Sequence, residues 1–230
     1  MFIERLSKKF NINEPIFIEE ILNLFREYSR AQVFRYIDKA KKNKEIVQFA
    51  KGVYYIPNIT FWGDLSTITA DSVIEKKYLR NKGQTYGVFG GIKLLNNFSV
   101  TTQMAAVIEV VTNNETTRCR EININGRKFV LRKSRCEINK SNCAAYTVLQ
   151  LFNDFTEQDK LDESARRRLF EYIKNRKVTQ KQLFELSAHF PARTAKKLVG
   201  SGIIRFYNKS WGVKNIPQLF CDEKGKKRVA

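Results

Sequence analysis

Ser29-Arg30-Ala31-Gln32-Val33-Phe34-Arg35-Tyr36-Ile37-Asp38-Lys39-Ala40-Lys41-Lys42 is the stretch on which the fold turns. At about 100° per residue, Val33, Ile37 and Ala40 stack on one side of a helix from about Arg30 to Lys42, with Tyr36 beside them. The opposite side carries Ala31, Gln32, Arg35, Lys39 and Lys42, with Arg30 in the first turn and Phe34 at the border. Ser29 is expected to cap the helix, because its hydroxyl can accept an orphan backbone N–H. Upstream, Arg26-Glu27-Tyr28 is too short for a free loop, so the preceding helix must turn sharply into this one. That helix begins at Phe17 or Ile18 and shows Ile18, Ile21, Leu22 and Phe25 on one face. A first helix, with Phe2, Ile3, Leu6 and Phe10, is set off by Asn11 to Glu14 and Pro15. Downstream, Ile46 to Ala50, Lys51-Gly52 and Val53 to Ile56 read as a hairpin closed by Pro57. Helix, helix, tight turn, helix, hairpin is the order of a winged helix-turn-helix. The competing reading is a plain three-helix bundle with solvated charges.

The outward row suits a helix that reads a DNA groove. Ala31 is small enough for close approach. Gln32 and Arg35 can form bidentate bonds to base edges, while Lys39, Lys42 and the hairpin-tip Lys51 meet phosphates. The expected contact set is Ser29, Arg30, Gln32, Arg35, Lys39, Lys42 and Lys51.

Composition points the same way. The chain has 230 residues, with 42 Lys+Arg against 23 Asp+Glu, a formal charge of +19. Such an excess concerns partners rather than fold, and polyanions are the natural partners. A basic surface kept only for solubility is the alternative. The net charge is +4 over residues 1–58 (11 basic, 7 acidic), +5 over 59–155 (13 and 8) and +10 over 156–230 (18 and 8). A hydrophobic fraction of 43% supplies real cores. No apolar run is long enough to span a membrane or serve as a signal peptide. Cys119, Cys136, Cys143 and Cys221 fit neither a disulfide framework nor C-x-x-C metal spacing, which is expected of a reducing cytoplasm.

The middle reads as mixed α/β. Thr60 to Gly63 marks a boundary, and Asp71 to Tyr78 is a short helix. Gly90-Gly91 is followed by Ile92 and not by the Lys of a phosphate loop, so close packing of a helix on a strand is the expected use of these glycines. Val107 to Thr112 is a strand. Asn125-Gly126 supplies a type I′ turn between Arg118–Ile124 and Arg127–Arg135, pairing Ile124 with Arg127, Ile122 with Phe129 and Arg120 with Leu131. Ile122, Ile124, Phe129 and Leu131 form its buried face. A helix capped by Ser141 or Asn142 is expected to cover the sheet with Ala145, Val148, Leu149, Phe152 and Phe155. Arg127, Lys128, Arg132, Lys133 and Arg135 make a second basic strip, either a binding surface or a charged hairpin edge.

Lys51-Gly52-Val53-Tyr54-Tyr55-Ile56-Pro57 resembles the wing of AbiEi-type antitoxins, the antitoxin half of type IV abortive-infection toxin–antitoxin systems. Gly90-Gly91 through Leu94-Leu95, then Thr101-Thr102-Gln103, resembles their segment joining a small-residue helix to Thr-Thr-Gln. Val107 to Thr112 with the Arg-rich hairpin is similar as well. The resemblance spans roughly residues 1–205 and departs at Met104-Ala105-Ala106, where such proteins often carry proline. It implies repression of the protein's own operon through paired operator repeats. It also implies that the C-terminal part opposes a nucleotidyltransferase-like toxin, with no need of a stable complex between them.

In the tail, Asp162 to Lys174 is a helix with Ala165, Leu169, Phe170 and Ile173 inward and Arg166 to Arg168 mostly outward. Thr179 caps a helix from Gln180 to Ser187 with Leu183, Phe184 and Leu186 as its apolar set. Pro191 opens a third, with Ala195, Leu198 and Val199 inward, ended by Gly200 and Gly202. Ile203 to Tyr207 and Trp211 to Val213 can pair, and residues 221–230 are expected to fray. The layout allows a second helix-turn-helix, but a helical cap on the middle unit is favoured.

The one histidine, His189, near a helix end, excludes two-His metal sites, and any Ser/His/Asp or Cys/His site would have to use it. Glu19-Glu20 and Asp162-Glu163 sit early in helices, where the macrodipole favours acid. No catalytic or metal-binding residue and no cofactor is implied. The expected architecture is α+β: a winged helix-turn-helix (1–58), a mixed α/β unit (59–155) and a basic helical part (156–230) packed on it. The expected partner is double-stranded DNA. A plain regulator of a mobile element and a structured-RNA-binding protein are the alternatives.

Overall fold

A computed structural model describes residues 2–156 and 161–203. Of the expected pairing of 203–207 with 211–213, only Ile203 is described, buried in the core and in no strand; the rest of that pairing and the fraying of 221–230 lie outside the residues described.

The chain opens with α1 (Phe2–Lys9), β1 (Ile16–Phe17), α2 (Ile18–Leu24), α3 (Arg30–Lys42), β2 (Val47–Ala50) and β3 (Val53–Tyr55). Strand β1 has no counterpart in the sequence reading, because two residues are too few to show a period. It pairs antiparallel with β3, giving the sheet order β1-β3-β2. Leu6, Ile21, Val33, Ile37 and Ile46 are buried in one core beneath it. Burying each such side chain contributes about 1.5–3 kcal/mol.

Next come α4 (Ala70–Ile74), which runs on as one π-helical turn (Glu75–Leu79), and the small hairpin β4 (Arg80–Asn81) and β5 (Gln84–Thr85). A four-stranded sheet follows, ordered β6-β7-β9-β8, from β6 (Gly87–Gly90), β7 (Val107–Thr112), β8 (Cys119–Ile124) and β9 (Arg127–Lys133). Strands β8 and β9 pair in the register that Asn125-Gly126 dictates, with Ile122 opposite Phe129 and Arg120 opposite Leu131. Strand β9 lies parallel to β7. With α5 (Gly91–Asn97), α6 (Cys143–Asp154) and the helices α7 (Glu163–Asn175), α8 (Gln180–Ser187) and α9 (Ala192–Gly200), the fold is α+β.

The two faces of this sheet are covered differently from expectation. Ile108, Val110, Phe129 and Leu131 pack against Ala70, Ile74, Tyr78 and Leu79, so residues 70–79 cover the face assigned above to α6. Helix α6 lies on the other face, where Val88 and Val111 join Leu149, Phe152, Leu169, Leu183 and Leu198 in one core. The tail helices thus share a core with the sheet and pack around α6. Two glycines make this possible. A Cβ on Gly87 would collide with the Tyr78 carbonyl, and Gly91 holds a positive φ of 57° against the Glu109 side chain. Gly90 has only ordinary contacts, so the tight packing expected of Gly90-Gly91 falls on Gly91.

Three local expectations need correction. Asn142 precedes α6 but makes no side-chain capping bond; its amide instead serves Asn139 and Glu137. Phe184 and Val199 are exposed (50% and 56%), whereas Thr194 is fully buried against α6 and hydrogen-bonds Asn153. Pro191 stands at the N-cap of α9, one residue before its first turn.

The N-terminal unit and the sheet touch along one seam. The Asn125 amide donates to the Phe49 carbonyl at 2.8 Å, and Ile124 packs with Phe49, Val53 and Val73. Lys76, only 7% exposed, sends its ammonium to Glu14 (2.8 Å), Glu20 (3.0 Å) and the Pro15 carbonyl (2.6 Å). Burial works to raise the Glu14 carboxyl, but hydrogen bonds from Lys76 and Asn11 outweigh it and hold Glu14 below its ordinary value.

Candidate nucleic-acid interface

Helix α3 starts where Ser29 Oγ accepts the Gln32 N–H at 3.3 Å, as the sequence leads one to expect. Such a cap contributes about 1 kcal/mol. Lys39, Lys41 and Lys42 occupy the last turn, where the helix dipole favours cations. Val33, Ile37 and Ala40 are buried, at 1%, 1% and 2% exposure. The burial of that face turns Ala31, Gln32, Arg35, Lys39 and Lys42 to solvent, and all five are exposed. The helix carries five cations and one acid, Asp38.

Arg30, Arg35, Lys39, Lys42 and Lys51 are all exposed, and none forms an ion pair with another described residue. Arg30 lies 5.8 Å from the ring of Phe34, which orients the guanidinium without neutralising it. Gln32 donates through Nε2 to the Tyr36 hydroxyl at 3.0 Å, so its amide oxygen is the free end. Tyr36 is in turn packed edge-on to Tyr28 and near Phe2, which fixes the Gln32 side chain from behind. Lys41 does not join the row. It donates to Gln48 at 2.7 Å and ties the end of α3 to β2. Lys51 sits at the β2–β3 turn beside Gly52, whose carbonyl accepts the Ile18 N–H at 2.9 Å and pins the tip to α2.

The second basic strip is not one surface. Strand period places Arg127 and Lys133 on the face with Phe129 and Leu131, and Lys128 and Arg132 on the opposite face. Arg127 pairs with Asp71 at 3.1 Å and Arg132 with Glu109 at 2.7 Å. Arg135 lies past the strand, its guanidinium 5.5 Å from the Phe190 ring. Of the five cations in the strip, Lys128 and Lys133 are left exposed without a partner among the described residues, and they lie on opposite faces.

Lys76 and Gln48 are the residues that sequence reading missed. Lys76 had a weak signal: a charge set among Val73, Ile74, Tyr78 and Leu79 on a short helix must find partners. Gln48 had none.

Among the described residues no helix is long and apolar enough to cross a membrane, and no cluster of His, Cys, Asp and Glu is placed to hold a metal. No family model matches the chain, and no curated protein sequence matches it significantly.

Proposed function

We propose that this protein is a cytoplasmic DNA-binding antitoxin that represses its own type IV toxin–antitoxin operon, with residues 1–58 acting as a winged helix-turn-helix. The observation that carries the reading is the outward row of α3: Ala31, Gln32, Arg35, Lys39 and Lys42, all exposed and free of any carboxylate partner among the described residues. Arg35 and the Gln32 oxygen address base edges. Lys39, Lys42, Arg30, the Ser29 hydroxyl and Lys51 address phosphates. The protein acts by occupancy and not by catalysis. The antitoxin half of the proposal is supported by the AbiEi-type resemblance, under which residues 59–230 oppose a nucleotidyltransferase-like toxin.

Competition at fixed salt between duplex DNA from the protein's own upstream region and a structured RNA tests the first half. Preference for the duplex supports it, and preference for the RNA replaces it with the RNA-binding reading. Co-expression with the neighbouring gene tests the second. A toxic neighbour rescued by the full chain supports the antitoxin. A harmless neighbour leaves a plain regulator.

A further inference from the structure

An open cleft of about 1020 Å³ lies between the β4–β5 hairpin, α5, the start of α6 and the end of α7. Its cations come from segments distant in sequence. Lys140 precedes α6, whereas Arg168, Arg176 and Lys177 belong to α7 and the turn after it. None of these four is ion-paired with a described residue. Two further cations on the wall are already engaged, Arg80 by Glu75 and Lys82 by Glu20 at 3.8 Å. With Glu75 so occupied, Glu171 is the one acidic side chain left to set against four free cations.

The rest of the lining is not what a bare phosphate needs. The floor is apolar, from Val88 and Leu94 to Phe98, whose ring meets Tyr172 edge-on at 5.2 Å. The side-chain amides of Asn81, Gln84, Asn97 and Asn175 border it and make no hydrogen bond with a described residue. An amide offers a donor and an acceptor together, which is what the edge of a nucleobase presents. Aromatic surface stacks any base, and guanidinium and ammonium groups bind phosphate oxygens by charge-assisted bonds. The volume suits one or two nucleotides and is too small for a duplex.

We infer that this cleft binds a phosphate-bearing nucleotide, free or as the unpaired end of a nucleic-acid strand, at a site separate from α3. Base and sugar lie against the part-exposed Tyr172 among the amides, with the buried Phe98 beneath it, and the phosphates meet Lys140, Arg168, Arg176 and Lys177. Nothing in this inference requires that α3 bind DNA.

Fluorescence anisotropy on the full chain, at physiological salt, tests it with two labelled probes: a nucleoside triphosphate and a short single-stranded oligonucleotide. Lys140→Ala/Arg176→Ala is expected to weaken binding of the active probe about tenfold or more, as loss of charge-assisted bonds should. Arg168→Ala, a second exposed site, should weaken it less, and thermal midpoints verify that both variants fold. Lys128→Ala, an exposed cation outside the cleft, should leave it unchanged. Loss confined to the triphosphate marks a free nucleotide as the ligand, and loss confined to the oligonucleotide marks a strand end. Failure of both probes to bind overturns the inference, as does full binding by the double variant or loss of binding in Lys128→Ala. Inorganic pyrophosphate competing as tightly as the triphosphate overturns it too, since the floor and the amides would then contribute nothing.

Discussion

Helix α3 and the run Arg127 to Arg135 carry five cations each, and they put them to different uses. Along α3 the helical period gathers Arg35, Lys39 and Lys42 on one side, and the buried Val33, Ile37 and Ala40 hold that side outward. Along β9 the two-residue period sends neighbours to opposite faces, and Asp71 and Glu109 then take up Arg127 and Arg132. Equal charge in the sequence therefore becomes one outward row in the first case and a strip split between two faces and partly tied down in the second. The difference lies in periodicity and in where the carboxylates fall, not in the count of basic residues.

The two stretches share one body through Lys76, and the largest expected effect comes from removing it. Lys76→Met leaves Glu14 and Glu20 facing each other without their ammonium, and should cost about 3–5 kcal/mol of stability in urea denaturation. Lys76→Met/Glu14→Gln/Glu20→Gln should recover much of that loss. Glu14 is held below its ordinary value in the folded chain, so its contribution is present above that ordinary value and fades as pH falls through the depressed one. The gap between wild type and Lys76→Met should therefore narrow on strong acidification. A single variant as stable as wild type at neutral pH would show that the seam is held by Asn125 and the apolar contacts instead.

Base reading should come next in size. Arg35→Ala is expected to cost about 1–3 kcal/mol on the specific duplex and little on random DNA. Equal loss on both would make Arg35 a phosphate contact. For the phosphates, Lys39→Ala should weaken every duplex alike and flatten the salt dependence by about one unit. Lys128→Ala, which removes an exposed and unpaired cation of the hairpin, should leave that slope alone. If the two slopes changed together, the hairpin would be part of the DNA-binding surface and the contrast between the two stretches would vanish.

How much of this was legible in the sequence follows from range. Helix α3, its Ser29 cap and the β8–β9 register are set by residues within one turn or one hairpin, and local rules reach that far. The side of the sheet that α6 covers was not legible, because both faces of β7 and β9 carry apolar residues and the choice is made by α4, more than sixty residues before α6 in the chain. The fates of Arg127 and Arg132 were hidden for the same reason. Asp71 and Glu109 lie in other elements, and nothing in a run of basic residues announces a distant carboxylate. Lys140 and Arg176 meet at a cleft only because α7 folds back along α6. The candidate interface was readable because it is a single helix, and the cleft was not because it is an assembly.

The smallest effect belongs to Arg132 and decides whether the hairpin strip is structural. Its Nε donates to Glu109 at 2.7 Å with the guanidinium about half exposed, at 47%, and this bond holds Arg132 above its ordinary value. Partly exposed pairs of this kind contribute about 0–1 kcal/mol. Arg132→Ala should thus lower stability by no more than ~1 kcal/mol and leave duplex affinity and its salt dependence as they were. Glu109 also acts on Asp154, whose carboxyl is raised chiefly by burial and further by the Glu109 charge. Much of the loss in Arg132→Ala should therefore be repulsion left uncompensated, and Arg132→Ala/Glu109→Gln should restore it. A double-mutant cycle that finds no coupling would detach Arg132 from Glu109. A fall in duplex affinity for Arg132→Ala would return the guanidinium to the nucleic acid and undo the distinction between strand and helix.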